Sequence, residues 1–475
     1  MGGITGWVEW KKNLTQFPSI LEAMTDTLAP RGPDDSGTWM TTHCAFGHRR
    51  LSVIDPANGA QPMFRDVEGA AFCIVYNGEL YNAAELKGEL TGRGHRFLTK
   101  CDTEVLLLSY IEWGAECVEK LNGFFAFAIW DDAQQALFMA RDRLGVKPLF
   151  YSERDGMLLF ASEPKAILIH PYVQPEVGAS GMAEVFAVGP GRTPGHGIYK
   201  EIRELKPGHT LQFSHSGIRI ACYWKLEAKS HHDDEEATAK CVRELLIDTV
   251  QRQLISDVPL CTLLSGGLDS SALTAIAAQY YEQHHLGKLH TYSVDYKDHN
   301  RHFQSSDFTP NPDAPWIDRM SEYFGTEHRH IEIDTPELTE SLQAAVDARD
   351  TPGMADIDSS LYLFCGKMKQ GATVALSGEA ADEIFGGYPW FYRDEALQAS
   401  TFPWSLHLQT RTDLLNPEFI EWIKPKQYIA ERYEEALNEV PLLPEEKRNH
   451  TKRRMREMSY LNITRFMPTL LDRKD

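Results

Sequence analysis

A glycine-rich stretch in the second half of the chain has the residue types and spacing to bind a phosphate group. It reads Ser-Gly-Gly-Leu-Asp-Ser-Ser over residues 265–271 and follows a short apolar run at 260–264. Gly266 and Gly267 allow a tight turn and a close approach of the backbone to an anion. A helix predicted over 272–281 would point its free N–H groups at that anion. No Lys follows the glycines, so the stretch predicts a phosphate-binding loop of a kind other than the Walker loop.

A second motif carries three acidic residues close together in the sequence. Residues 376–388 read Leu-Ser-Gly-Glu-Ala-Ala-Asp-Glu-Ile-Phe-Gly-Gly-Tyr and follow the apolar run 373–376. If both apolar runs are strands of one parallel sheet, the two loops open on the same edge. Glu379 is then a carboxylate at that edge that can accept a proton. Asp269 and Asp382 are candidates to share Mg²⁺ with phosphate oxygens. A solvated helix start is the alternative interpretation of these acids.

The composition narrows the class of protein. The chain has 475 residues, 42% apolar and 24% charged, which is ordinary for two or three soluble domains. A net charge of -20 argues against a nucleic-acid partner. No apolar run approaches 18 residues, so no membrane span is expected. Eight scattered cysteines without a CxxC pair, in a chain without a visible leader, predict free thiols and a cytoplasmic location.

The elements that position these motifs fall into two groups. Apolar runs at 72–76, 124–130 and 137–140 predict strands in a first domain over 1–205, with Asn77-Gly78 as a turn signal. Residues 206–232 are predicted as a connecting segment. From 233 to 475, strand and helix patterns alternate, which predicts a doubly wound parallel sheet.

Together with Arg-Gly-Pro-Asp-Asp at 31–35, Arg-Leu-Ser-Val at 50–53 and Asn-Gly-Glu-Leu-Tyr-Asn at 77–82, these motifs resemble the glutamine-dependent asparagine synthetases. The resemblance implies an α+β N-terminal domain of the Ntn-hydrolase type, with stacked antiparallel sheets between helices. It implies an α/β synthetase domain of the ATP pyrophosphatase type after it. ATP and Mg²⁺ are the implied cofactors, and aspartate, with ammonia or glutamine, is the implied substrate. A homodimer is a candidate assembly.

The resemblance also implies the ligand contacts. The residues that match the family's glutamine site are Arg50, Leu51, Val53, Asn77, Gly78, Glu79 and Asp102. The residues that match its ATP site are Leu264, Ser265, Gly266, Gly267, Asp269, Ser270, Val294, Ser377 and Gly378. The chemistry fits, because Arg50 can grip a carboxylate with two hydrogen bonds. Asn77 and the Gly78 N–H can form an oxyanion hole, and Glu79 and Asp102 can pair with an ammonium group.

Two departures limit the activity that we predict. Position 2 is Gly where the family has its nucleophilic Cys, so we predict an inactive glutaminase half. Cys101 adjoins Asp102 but lacks the N-terminal amine as its base, so we expect no rescue. The chain stops at Asp475 where the family continues with a phosphate-neutralising Lys, so we expect a truncated second domain. The predicted reaction is aspartate adenylation followed by attack of free ammonia.

Two alternatives to this prediction remain open at the level of the sequence. One is a beta-lactam-synthetase-like or natural-product amide ligase that uses the same adenylation. The other is a catalytically degenerate paralogue that binds nucleotide or glutamine without turnover.

Overall fold

The chain forms three sheets surrounded by helices in a computed structural model that describes residues 2–298, 303–306 and 311–475. The described strands are β1 (Gly2–Glu9), β2 (Asp35–Met40), β3 (Cys44–Arg50), β4 (Met63–Val67), β5 (Ala70–Leu80), β6 (Gly123–Asp131), β7 (Ala136–Arg141), β8 (Phe150–Arg154), β9 (Met157–Ala161), β10 (Arg203–Glu204), β11 (His209–Ser214), β12 (Gly217–Cys222), β13 (Leu260–Leu263), β14 (His290–Tyr296), β15 (Glu327–Ile333) and β16 (Val374–Leu376).

The helices follow the same division. In the first half they are Pro18–Asp26, Ala83–Gly92, Asp102–Trp113, Cys117–Lys120, Pro164–Leu168 and Ala179–Ala183. In the second half the described helices are Glu235–Gln253, Leu268–Gln283, Ala314–Phe324, Thr335–Glu340, Leu342–Arg349, Asp356–Met368, Ala381–Phe385, Asp394–Gln398, Leu408–Thr412, Pro417–Ile423, Pro425–Asn438, Pro444–Arg448, His450–Leu461 and Met467–Lys474. Among the described residues, no helix is both long and apolar enough to cross a bilayer.

The first half is a sandwich of two six-stranded antiparallel sheets. One sheet has the order β10-β8-β9-β1-β3-β2 and the other β12-β11-β7-β6-β5-β4. Side chains such as Val8 and Phe160 from one sheet and Trp130 and Met139 from the other form one buried cluster between them. Because strand side chains alternate between faces, each sheet keeps a second apolar face. The helices Pro18–Asp26 and Asp102–Trp113 cover those outer faces.

The second half contains a four-stranded parallel sheet in the order β15-β14-β13-β16. Phe364 and Met368 of one helix pack on one face, and Ala277 of another packs on the opposite face. Helices on both faces of a parallel sheet make it doubly wound. The predicted fold class of both halves is therefore confirmed.

The structure corrects one local prediction. Asn77 and Gly78 do not form a turn; they lie inside β5, opposite Ala126 and Phe125 of β6. A Cβ at Gly78 would lie 2.1 Å from the Phe124 carbonyl oxygen, so the glycine permits the close approach of β6. Pairing along the whole of β5 outweighs the local turn preference of the Asn-Gly pair.

Residues 206–232 contain more structure than a connecting segment needs. Within them, β11 pairs with β7 of the second sheet, and β12 extends that sheet by one strand. Asp234 then caps the helix Glu235–Gln253 by accepting a hydrogen bond from the Ala237 N–H. We propose that the first domain extends to about residue 224, which leaves a shorter link to the second.

Candidate active sites

Residue 2, where the family has its nucleophilic side chain, is a glycine packed closely against the backbone of β3. Gly2 lies buried in β1 opposite Arg50 of β3, and its N–H donates to Asn77 Oδ1 at 3.0 Å. Its φ is +153°, and a Cβ built on it would lie 1.9 Å from the Arg49 carbonyl oxygen. Any side chain at residue 2 therefore needs β1 and β3 to move apart. The site holds no thiol at this point.

The side-chain amide of Asn77 is one of the two groups that the sequence predicts for an oxyanion hole. Asn77 is fully buried, and its Nδ2 has no hydrogen-bond partner among the described residues. Gly78 follows it in β5 and lines the adjoining pocket. A buried donor without a partner is costly, and such groups mark places where a ligand atom completes the bonding. Asn77 Nδ2 is free to donate, and its role in an oxyanion hole stays a prediction.

A narrow pocket beside Asn77 collects the rest of the predicted glutamine contacts. Arg50 is 7% exposed, and its guanidinium donates to the carbonyl oxygens of Pro56 at 2.7 Å and Asp55 at 2.8 Å. The pocket residues are Arg50, Leu51, Val53, Ile54, Gly59, Gln61, Tyr76, Gly78, Glu79, Cys101, Asp102 and Thr103. The cavity measures about 20 Å³, which is the room that one water needs.

Two acids stand close together in this pocket. Burial, and then the charge of Asp102, raise the pKa of Glu79 to about 7. Burial also raises the pKa of Asp102, while the Leu80 N–H and the Tyr76 hydroxyl each donate to its Oδ2 at 3.0 Å. Two like charges in one buried pocket oppose each other, and a cationic group between them relieves the repulsion. The pair suits the α-ammonium group of an amino acid.

Cys101 lines the same pocket but is a poor nucleophile. Burial raises the pKa of its thiol, and the side chain is 3% exposed with Sγ 3.0 Å from Thr99 Oγ1. Since the thiolate is the reactive form, a raised pKa lowers reactivity. The expectation that Cys101 does not replace the missing nucleophile stays a prediction.

In the second half, residues 264–267 join β13 to the helix Leu268–Gln283. We call this segment the Ser265 loop. Gly266 adopts φ +80°, a left-handed conformation that favours glycine. Ser265 Oγ lies 3.0 Å from Ser270 Oγ, and Ser270 Oγ donates to the Gly267 carbonyl at 3.2 Å. These bonds fold the loop over the start of the helix. The helix begins at Leu268, four residues earlier than predicted, so Asp269 and Ser270 lie in its first turn.

The second predicted loop meets the first. It follows β16, which pairs with β13 in parallel, so both loops leave the same sheet edge. A Cβ at Gly378 would lie 3.3 Å from the Asp269 Cβ and 3.3 Å from the Ser270 backbone nitrogen. A side chain at this position would need its neighbours to shift by a few tenths of an ångström. The structure thus brings Ser377 and Gly378 next to the Ser265 loop, as the sequence predicts.

Three carboxylates gather where the loops meet. Burial, followed by the charges of Asp269 and Glu379, raises the pKa of Asp382. Burial raises the pKa of Asp269 as well. Among the described residues, no three His, Cys, Asp or Glu side chains are arranged to hold a metal ion by themselves. The repulsion at Asp382 and the oxygen ligands nevertheless fit Mg²⁺, which takes one or two carboxylates and completes its shell with phosphate and water.

The two residues predicted beside the adenine and ribose lie at the same edge. Leu264 is 1% exposed, and its N–H donates to the Tyr292 carbonyl at 2.8 Å. Val294 is half-buried in β14, beyond the pairing of Tyr292 with Leu263. Both also pack as ordinary apolar residues, so their contact with a nucleotide stays a prediction.

The sequence analysis missed two cations at this site. Lys474 Nζ donates to Ser377 Oγ at 3.1 Å and lies 3.1 Å from Glu379 Oε2. Arg473 Nη2 lies 3.8 Å from the same oxygen. These contacts join residues almost a hundred positions apart, and no local spacing signals them. Two positively charged side chains therefore lie beside the carboxylate of Glu379, the predicted proton acceptor.

An antiparallel sandwich joined to a doubly wound parallel sheet, with a glycine-rich loop at the sheet edge, is the architecture expected of a two-domain amidotransferase and ATP-dependent amide synthetase. Comparison with known proteins agrees. Residues 1–224 match the glutamine amidotransferase domain family, and residues 241–475 match the asparagine synthase family. The chain belongs to the glutamine-hydrolysing asparagine synthetase family.

Individual relatives give the same result. The chain is 50% identical over 475 residues to asparagine synthetase [glutamine-hydrolyzing] 3 of Bacillus subtilis, covering 100% of this chain and 77% of that protein. It is 34% identical over 373 residues to asparagine synthetase 1 of B. subtilis, covering 78% of this chain but only 56% of the relative. Asparagine synthetase B of Escherichia coli is 30% identical over 406 residues, with 83% and 66% covered. Among solved structures, the glutamine phosphoribosylpyrophosphate amidotransferase of B. subtilis is 14% identical, covering 82% of this chain and 97% of that one, with a TM-score of 0.39.

Proposed function

We propose that this protein makes asparagine from aspartate, ATP and free ammonia. The observation that carries the proposal is the meeting of the two loops at one sheet edge, where a Cβ built on Gly378 would lie 3.3 Å from the Asp269 Cβ. A phosphate loop and a carboxylate proton acceptor are the two parts that adenylation followed by amination needs. The family's β-lactam and natural-product alternatives are not favoured, because the relatives named above are asparagine synthetases.

In the first step, an oxygen of the aspartate side-chain carboxylate attacks the α-phosphorus of ATP. The bond to the β-phosphate oxygen breaks, and pyrophosphate leaves. The backbone N–H groups of Gly266 and Gly267 and the start of the Leu268–Gln283 helix stabilise the negative charge of the departing group. Asp269 and Asp382 are the residues that would hold Mg²⁺, which neutralises phosphate charge when it is bound.

In the second step, ammonia attacks the acyl carbon of the adenylate. The carbon–oxygen bond to AMP breaks, and the nitrogen must lose a proton as the amide forms. Glu379 is placed to accept that proton, since its carboxylate adjoins Ser377 and Gly378. A substitution of Glu379 by Gln removes the acceptor without changing the size of the side chain.

The first domain supplies no ammonia in this proposal. Covalent hydrolysis of glutamine needs a thiol at residue 2, and Gly2 has none. The pocket with Arg50, Glu79 and Asp102 is retained, so the domain can still bind an amino acid.

The test is the formation of AMP by purified protein given ATP, Mg²⁺, aspartate and ammonium. We expect equimolar AMP, pyrophosphate and asparagine with ammonium and none with glutamine, and E379Q lowers the rate by about 10²–10⁴-fold. ATP–pyrophosphate exchange over a panel of carboxylates checks the acceptor. Exchange with another carboxylate but not with aspartate would indicate a different amide ligase. Binding of ATP without AMP formation would indicate a protein that binds nucleotide without turnover.

The proposed setting is the cytoplasm, with small molecules as partners. All eight cysteines are free thiols, five of them buried, which suits a reducing compartment. The net charge of -20 favours small substrates over nucleic acid.

A further inference from the structure

The helix Met467–Lys474 ends between the two domains. The Asp475 side chain that follows it is 2% exposed and belongs to the second domain by sequence. Its partners come from the first domain: Lys147 Nζ lies 2.5 Å from Oδ1, and Arg31 bonds to Oδ2. We call Arg31, Lys147 and Asp475 the Asp475 clamp.

The first domain fixes the cations of the Asp475 clamp. Arg31 donates through Nη1 to Glu163 Oε1 and through Nε to the Gly2 carbonyl, both at 3.0 Å. Lys147 is 9% exposed. Burial alone would raise the pKa of Asp475, but the charges of Arg31 and Lys147 lower it to about 2. The Asp475 carboxylate is therefore ionised over the whole working range of pH, and its ion pairs with Arg31 and Lys147 persist over that range.

The residue before Asp475 reaches the ligase site. Lys474 Nζ contacts both Ser377 Oγ and Glu379 Oε2 at 3.1 Å, while its side chain is about a quarter exposed. A lysine side chain is a flexible four-carbon stem with large rotamer freedom. A backbone that is held at the next residue reduces the positions its ammonium group can occupy. The two contacts therefore depend on where Asp475 is held.

We infer that Lys474 is a positioning residue of the ligase site, and that the Asp475 clamp holds it against Ser377 and Glu379. The inference rests on the proposed function of that site. Lys474 fixes the Glu379 carboxylate beside the Ser377–Gly378 loop. The first domain, which has no nucleophile, thus contributes Arg31 and Lys147 to the synthetase reaction.

The test compares K474Q, D475N and the double variant in ammonia-dependent AMP formation. A hydrogen bond to a charged group is strong, so its loss in K474Q lowers kcat by about ten- to hundredfold. D475N lowers kcat by about tenfold. The double variant matches K474Q, because Asp475 acts through Lys474 and the effects do not add. KM for ATP changes less than kcat, and K147M reproduces D475N. The control K120Q removes an exposed ion pair with Glu89 and keeps the wild-type rate.

Hydrogen exchange gives a second reading that does not depend on turnover. Amides of the 374–385 segment exchange faster in D475N and K474Q than in the wild-type protein and K120Q. Multiplicative losses in the double variant would overturn the inference, because they indicate independent structural roles. Unchanged exchange over 374–385 would overturn it too. A wild-type protein that forms no AMP would refute the proposed function, while the exchange data would still decide the role of the Asp475 clamp.

Discussion

The two adjacent glycines of the Ser265 loop have opposite tolerances for a side chain. Gly266 has φ +80°, and a Cβ there would lie 2.9 Å from the Trp316 Cβ and 3.1 Å from the Asp313 carbonyl oxygen. Gly267 has φ -72°, and the nearest atom to its Cβ is Ser265 Oγ at 3.6 Å. The substitution of each by Ala therefore separates the strain of the loop from its contact with a ligand.

The cost of G266A follows from these values. The left-handed conformation costs a non-glycine residue about 1–2 kcal/mol. The tight contact with Trp316 adds about 1 kcal/mol. The free energy of unfolding should then fall by about 2–3 kcal/mol, and the melting midpoint of a domain of this size by about 4–12 °C. G267A should change the free energy of unfolding by less than about 0.5 kcal/mol.

Calorimetric titration with ATP gives the second measurement. The Cβ of G267A points into the open space before the helix Leu268–Gln283, where a phosphate would approach the loop. We expect G267A to keep the wild-type melting midpoint and to bind ATP at least about tenfold more weakly. Wild-type stability of G266A would refute the backbone conformation of the loop. Wild-type ATP affinity of G267A would refute the placement of the phosphate.

Three further predictions follow from the first domain. Glutamine should bind about tenfold more tightly at pH 8 than at pH 6, because Glu79 ionises near pH 7 and only its anion attracts an ammonium group; calorimetry on E79Q should show no such dependence. R141M should lower the free energy of unfolding by about 3–5 kcal/mol, because Arg141 is 1% exposed and pairs with Glu204 at 2.6 Å. In the control R154M, at the exposed Arg154, the free energy of unfolding measured by chemical denaturation should stay unchanged. Purified protein should release no glutamate from glutamine in a coupled glutamate assay, and release above the blank would contradict the role given to Gly2.

Local motifs made the ligand loops predictable. The Ser265 loop and the Ser377–Glu379 loop each follow an apolar strand, and a parallel sheet brings such loops to one edge without further information. In the first half, short apolar runs predicted individual strands, and the family resemblance supplied the stacking of their sheets. The features that the sequence predicted well, namely the strands and the loops that follow them, depend on residues within about ten positions of each other.

Long-range pairing decided what could not be predicted. The Asn77-Gly78 pair has a turn preference, but its pairing with β6 depends on a strand about fifty residues away. Lys474 reaches Ser377 across 97 positions, and its own neighbours carry no sign of that contact. In the helix Glu235–Gln253, Leu245 is 62% exposed while Val250 is buried. Amphipathic spacing identifies a face but not what covers it.

A cysteine placed at residue 2 would meet the backbone of β3 before it met a substrate. The Arg49 carbonyl oxygen lies 1.9 Å from the point where a Cβ would stand. A G2C variant therefore needs β1 and β3 to move apart, so this one substitution changes the backbone as well as the side chain.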